Sequence, residues 1–178
     1  LFHPCAIERL ATALPDVKLL VMLRDPVTRA ESHYHHSVAY GHETLPLREA
    51  LAVEDERLAG EEALLRADPA YISIPHEHFS YVSKGLYARQ LQNLFEHFPR
   101  EQAMILSAEG FYADPDGTLG RLTEWLGLPR VHLEPDDNRN ANTYEPDPEV
   151  RRQLTLRFQA PNEELFSLLG ERFAWTAM

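Results

Sequence analysis

The strongest constraint on this chain is the junction at residues 18–36, KLLVMLRDPVTRAESHYHH. After Lys18 the apolar run Leu19, Leu20, Val21, Met22, Leu23 has strand length and no polar alternation. Such a run predicts a strand over 18–23 that is buried on both faces, as in a parallel sheet. Asp25 is a good N-cap and Pro26 a good first helical residue, so a helix over 26–40 is predicted to begin at once. Its apolar stripe is Val27, Ala30, Tyr34 and Val38, with Arg29 and Ser32 together on another face. In open α/β sheets ligands sit beyond the carboxyl ends of the strands, and Arg24 stands at that end.

The rest of the chain repeats the theme. Residues 4–14 read as a short helix with Ile7, Leu10, Ala11 and Leu14 at helical spacing. Residues 46–67 read as an acidic, solvated helical stretch, and 68–82 as a loop carrying Pro69 and Pro75. A helix over 83–98 presents Tyr87, Leu91, Leu94, Phe95 and Phe98, and residues 103–106 form a second buried strand. A helix over 115–126 turns Leu119, Leu122, Trp125 and Leu126 inward and closes at Gly127. Residues 129–147 read as a loop, and 148–170 as two helices broken near Pro161. Alternating helices and strands argue for an α/β layered fold.

Composition narrows the function. With 178 residues, one domain spanning 1–178 is expected. A net charge of −11 with scattered Lys and Arg speaks against nucleic acid. No stretch approaches a membrane span. The single Cys5 allows no intramolecular disulfide and leans toward a reducing, cytoplasmic setting. At the junction, an arginine fork, a hydroxyl and a helix N-terminus make a generic anion site. The bland alternative pairs Arg24 with a carboxylate and leaves Ser32 solvated. A metal hydrolase would draw on His33, His36 and the His76/His78 pair, but no known metal-site spacing recurs. A nucleotide kinase would need a G-x-x-x-x-G-K-[ST] loop, which is absent.

The string from Leu23 to Tyr34 resembles the 3′-phosphate-binding motif of PAPS-dependent sulfotransferases, nearest to the heparan-sulfate type and its bacterial relatives. Further strings follow that family's order: SKGLYARQL at 83–91, His97-Phe98-Pro99, Met104 to Glu109, Asp114-Pro115, Trp125-Leu126-Gly127-Leu128, and 161–170. The resemblance implies a layered P-loop-like sulfotransferase fold with a central parallel sheet, of which this chain is the C-terminal two-thirds. The family's Lys-bearing 5′-phosphosulfate loop is missing, and a whole domain would need ~80 further residues upstream.

The resemblance places the grip on the 3′-phosphate of PAPS at Arg24 and Ser32. Arg139, in the late loop, takes the place of the family's basic residue that closes over the donor. The co-substrate would be PAPS, the product 3′,5′-ADP, with no metal, and the acceptor a small molecule, lipid or carbohydrate. The loop facing the acceptor in relatives carries His76 and His78 here. His78, nearer the 83–91 motif, is the expected general base, with ring packing as its alternative. Tyr87 is expected to anchor its helix, with a place lining the cleft near the adenine as its alternative. A non-catalytic fragment of the same fold is the alternative for the chain as a whole.

Overall fold

The computed structural model describes residues 1–132 and 144–175. Helix α1 (Ala6–Ala13) leads into strand β1 (Leu19–Leu23) and helix α2 (Pro26–Ala39). Short helices α3 (Leu47–Ala52), α4 (Glu54–Leu58), α5 (Glu61–Ala67) and α6 (Ile74–His78) follow. A single 3-10 turn, Ser83–Gly85, precedes α7 (Tyr87–His97). Strand β2 (Ala103–Ser107), α8 (Ala108–Ala113), α9 (Pro115–Leu126) and α10 (Pro148–Leu169) complete the described elements.

The strands pair in parallel from Leu19 opposite Ala103 to Leu23 opposite Ser107. Parallel pairing demands a crossover, and helices α2 to α7 supply it. Val21, Leu23, Ala103 and Ile105 join Ile7 of α1, Leu91 and Leu94 of α7, Phe98 and Leu165 of α10 in one apolar cluster. Burial on both faces of β1 does not hold. Leu20 and Met22 remain 46% and 47% exposed, because the described helices of this cluster cover only the face that carries Val21 and Leu23.

A second cluster joins Val27 and Ala30 of α2, Ala50 and Leu51 of α3, Tyr81, Val82, and Val150, Leu154 and Phe158 of α10. Helix α10 therefore serves both cores. It runs unbroken through Pro161, contrary to the expected break. A mid-helix proline loses one hydrogen bond and crowds the preceding turn. Here Phe158 before it and Leu165 after it are each buried in a different cluster, which holds both halves in line.

Three further expectations change. The 46–67 stretch is not simply solvated: Glu54 is 1% exposed, and Ala50, Leu51 and Leu65 are buried. Its helices are interrupted at Gly60, whose φ of 83° suits glycine. The 68–82 loop contains α6, capped by the Ser73 hydroxyl, which accepts from the His76 amide at 3.0 Å. In α9 the buried residues are Thr118 and Thr123, while Leu126 is 38% exposed. The foreseen ends are kept: the Asp25 side chain accepts from the Val27 amide at 2.9 Å, and Gly127 closes α9 at φ 74°.

Candidate anion-binding site

Three distant segments hold the turn between β1 and α2. Glu109 accepts from the Asp25 amide at 2.9 Å and from the Trp175 indole at 2.9 Å. The Tyr87 hydroxyl donates to the Arg24 carbonyl at 3.0 Å, which makes Tyr87 the anchor expected of it. Its phenol is pushed up to about 12, chiefly by burial. The turn is thus fixed by its backbone, and the Arg24 guanidinium makes no hydrogen bond or ion pair among the described residues. Among the described residues the carboxylate partner of the bland reading is not there.

Helical geometry sets what surrounds Arg24. Buried residues Val27, Ala30, Glu31 and Ser37 define the inward side of α2. At 100° per residue, Thr28, Ser32 and His36 fall on the opposite side, with Arg29 at its flank. Ser32 is half-buried, about 9 Å along the axis from Pro26. Among the described residues no hydrogen bond or ion pair joins Ser32 to Arg24, and the structure does not bring the two together. A cavity of about 330 Å³ lies beside Asp25 and Val27, walled by Phe158, Phe166, Phe173 and Trp175. Neither Arg24 nor Ser32 lines it.

Several groups here escaped the sequence reading. Arg29 donates to the Tyr81 carbonyl, while its Nε is buried without a partner. Burial lowers its pKa, and the nearby Arg24 charge lowers it further. His33 packs edge-on against Tyr81 at 5.1 Å, with its Nδ1 also buried and unpartnered. Burial, then the charges of Lys84 and Arg29, hold that ring at about 3, so it is neutral near pH 7. Burial and Arg29 together bring Lys84 down to about 8. Tyr144 stacks on His35 at 3.8 Å, and its buried hydroxyl has no partner. Arg24 thus acts on Arg29 and Arg29 on Lys84, three cations within electrostatic reach in turn in a protein whose net charge is −11.

The histidines separate. His76 is buried and stacks on Phe2 at 4.2 Å. His78 stacks on His42 at 3.7 Å, and its carbonyl accepts from the Ser37 hydroxyl at 2.9 Å. Burial lowers the His78 pKa, assisted by His42 and opposed by Glu77. Its electrostatic neighbours include Lys84 and His36. Among the described residues no cluster of His, Cys, Asp or Glu is arranged to hold a metal. Arg139 lies outside the described residues.

Comparison with known proteins decides the family, because the sulfotransferase domain profile matches residues 6–145. The chain belongs to the sulfotransferase domain family. A solved sulfotransferase from Alicyclobacillus acidocaldarius superposes with a TM-score of 0.75 and 33% identity, over 98% of this chain and 63% of that one. The human heparan sulfate glucosamine 3-O-sulfotransferase 3B1 is 33% identical over 69% of this chain and 28% of its own length. The membrane-associated sulfotransferase kil1 of Dictyostelium discoideum is 25% identical over 97% of this chain and 51% of its own. This sulfotransferase chain thus spans 28% of one of these curated relatives and about half of the other. No helix among its described residues is long and apolar enough to cross a membrane.

Proposed function

We propose that this chain belongs to an enzyme that moves a sulfuryl group from PAPS to a hydroxyl or amine of an acceptor, and that the acceptor is a carbohydrate. The observation that carries the reading is Arg24: a guanidinium at the carboxyl end of a parallel strand, its backbone clamped by Tyr87 and its donors unspent among the described residues. A guanidinium fork matches phosphate oxygens two at a time, and the first amides of α2 add a positive dipole end. Arg24 and Ser32 hold the 3′-phosphate in this reading, and Arg139 closes over the donor. His78 takes the acceptor's proton as the bond from sulfur to the acceptor's oxygen or nitrogen forms and the S–O bond to the phosphate breaks. Burial keeps its ring neutral and ready to accept. The carbohydrate acceptor rests on the named substrates of the heparan sulfate relatives.

The test is calorimetric titration with 3′,5′-ADP. Arg24→Ala is expected to weaken binding by about ten- to a hundredfold, the worth of a charge-assisted bidentate contact of ~1.5–3 kcal/mol. Equal affinity for wild type and variant overturns the assignment.

A further inference from the structure

The geometry points to Glu54 as a positioning residue: its buried carboxylate holds the Ser83–Gly85 turn so that Lys84 presents its ammonium as a second anion contact beside Arg29. This rests on the proposed function, since the anion is a phosphate or sulfate of donor or acceptor.

Glu54 lies in the acidic 46–67 stretch, yet it is 1% exposed. Its oxygens accept from the Val82 amide at 2.8 and 3.0 Å, from the Ser83 amide at 2.8 Å and from the Ser83 hydroxyl at 2.8 Å. Among the described residues no arginine or lysine pairs with it directly, so two backbone amides and the Ser83 hydroxyl hold the charge at one turn of chain. That turn has little freedom, because Gly85 is pressed against Phe158 and Pro26. Lys84 stands between these two fixed points. Its Nζ donates to the Glu77 carbonyl at 2.5 Å and sits 5.6 Å from the Phe2 ring. The charged and titratable groups around it are Arg29, Glu77, Glu54, His33, His76 and His78.

Lysine is scarce here. Lys18 and Lys84 are the two in the sequence, against fifteen arginines. Lys18 lies over the Trp125 ring at 5.0 Å, on another part of the protein. The Arg29 Nε and His33 Nδ1 are buried without hydrogen-bond partners, and both residues are within electrostatic reach of Lys84.

Trace acetylation of the 178-residue chain across about pH 6–10, read by peptide mass spectrometry, tests the idea, with Lys18 as internal reference. Glu54→Ala frees the turn, so Lys84 moves toward the ordinary lysine range. Its reactive fraction at pH 7 then falls by roughly a hundredfold. Glu54→Gln keeps an acceptor oxygen for the amides and loses only the charge that favours the ammonium, so Lys84 reacts at lower pH. A wild-type Lys84 profile in both variants overturns the positioning role. Protection of Lys84, and not Lys18, by 3′,5′-ADP supports the anion contact and assigns it to the donor. Protection only by a sulfated glucosamine disaccharide supports it and assigns it to the acceptor. No protection by either, while calorimetry shows 3′,5′-ADP bound, overturns it. If 3′,5′-ADP does not bind at all, the proposed function fails, and the Glu54 coupling is decided by the two variants alone.

Discussion

Replacing Gly85 by alanine puts one methyl group where the structure has almost no room. A Cβ built there meets Cε1 and Cζ of Phe158 at 2.8 Å and Cβ of Pro26 at 3.0 Å. Ordinary carbon contacts sit near 3.5–4.0 Å, so the ring must retreat by roughly 0.7–1 Å. Phe158 is fully buried and cannot swing into solvent. Two effects compete. Gly85 is not among the positive-φ glycines, so alanine fits the backbone and stiffens the unfolded chain, worth about 0.4–1 kcal/mol. Overpacking a filled core costs about 1–3 kcal/mol, and it wins. The expected net loss is about 1–2 kcal/mol, a fall in Tm of roughly 2–8 °C by calorimetry or circular dichroism. Phe158→Leu in the same background makes space, so the double variant loses less than the two singles summed, with a coupling of about 0.5–2 kcal/mol. A Gly85→Ala protein as stable as wild type, or more so, refutes the packing argument.

Two more expectations follow from the histidines and the buried carboxylates. His78→Ala lowers sulfuryl-transfer turnover by about 10²–10⁴ with donor binding intact, whereas His76→Ala, a ring packed on Phe2, changes it little; equal turnover in both rules out His78 as the base. Acid lowers stability in two overlapping windows. His33 is held near 3 when folded but titrates at about 6.5 unfolded, so stability falls from pH 6.5 toward 3. Burial opposes ionisation of Glu43, but Arg57, the Leu45 and Thr44 amides and the Tyr81 hydroxyl outweigh it and hold it at about 2. Its contribution is complete above pH 4.5 and is lost as pH falls toward 2. Urea midpoints at several pH values check both, and His33→Gln should flatten only the upper window.

The strand-to-helix junction was legible because every local signal agreed: an unbroken apolar run, then a capping aspartate, then proline. Arg24 needed only its place after that run. What escaped depends on partners far along the chain. Glu54 sits among Glu49, Asp55, Glu56, Glu61 and Glu62, and nothing local separates the one buried carboxylate from its solvated neighbours. Its donors come 28 and 29 residues later. Glu31 looks like a surface residue until Arg151, 120 residues on, reaches it with Nε at 3.1 Å. Pro161 was read by its local cost alone, while the structure weighs it against two cores. Arg29 falls on the expected side of its helix, but its bond to the Tyr81 carbonyl, 52 residues on, has no local signal. One signal was available and unread: the scarcity of lysine marks Lys84, directly before a glycine, as unusual.

The clamp on the Arg24–Asp25 turn also has a consequence for timing. Its fasteners come from residues 87, 109 and 175, so the turn is closed by contacts spanning 63 and 84 residues, and its bracing carboxylate by one spanning 66 more. Domains gain their shape during synthesis from the N-terminal side onward. A nascent chain that has already made β1 and α2 still lacks Tyr87, then Glu109, then the indole that steadies Glu109. The Arg24–Asp25 turn is therefore among the last features to be fully braced. A growing polypeptide would hold this turn incompletely braced until residue 175 had cleared the exit tunnel and docked.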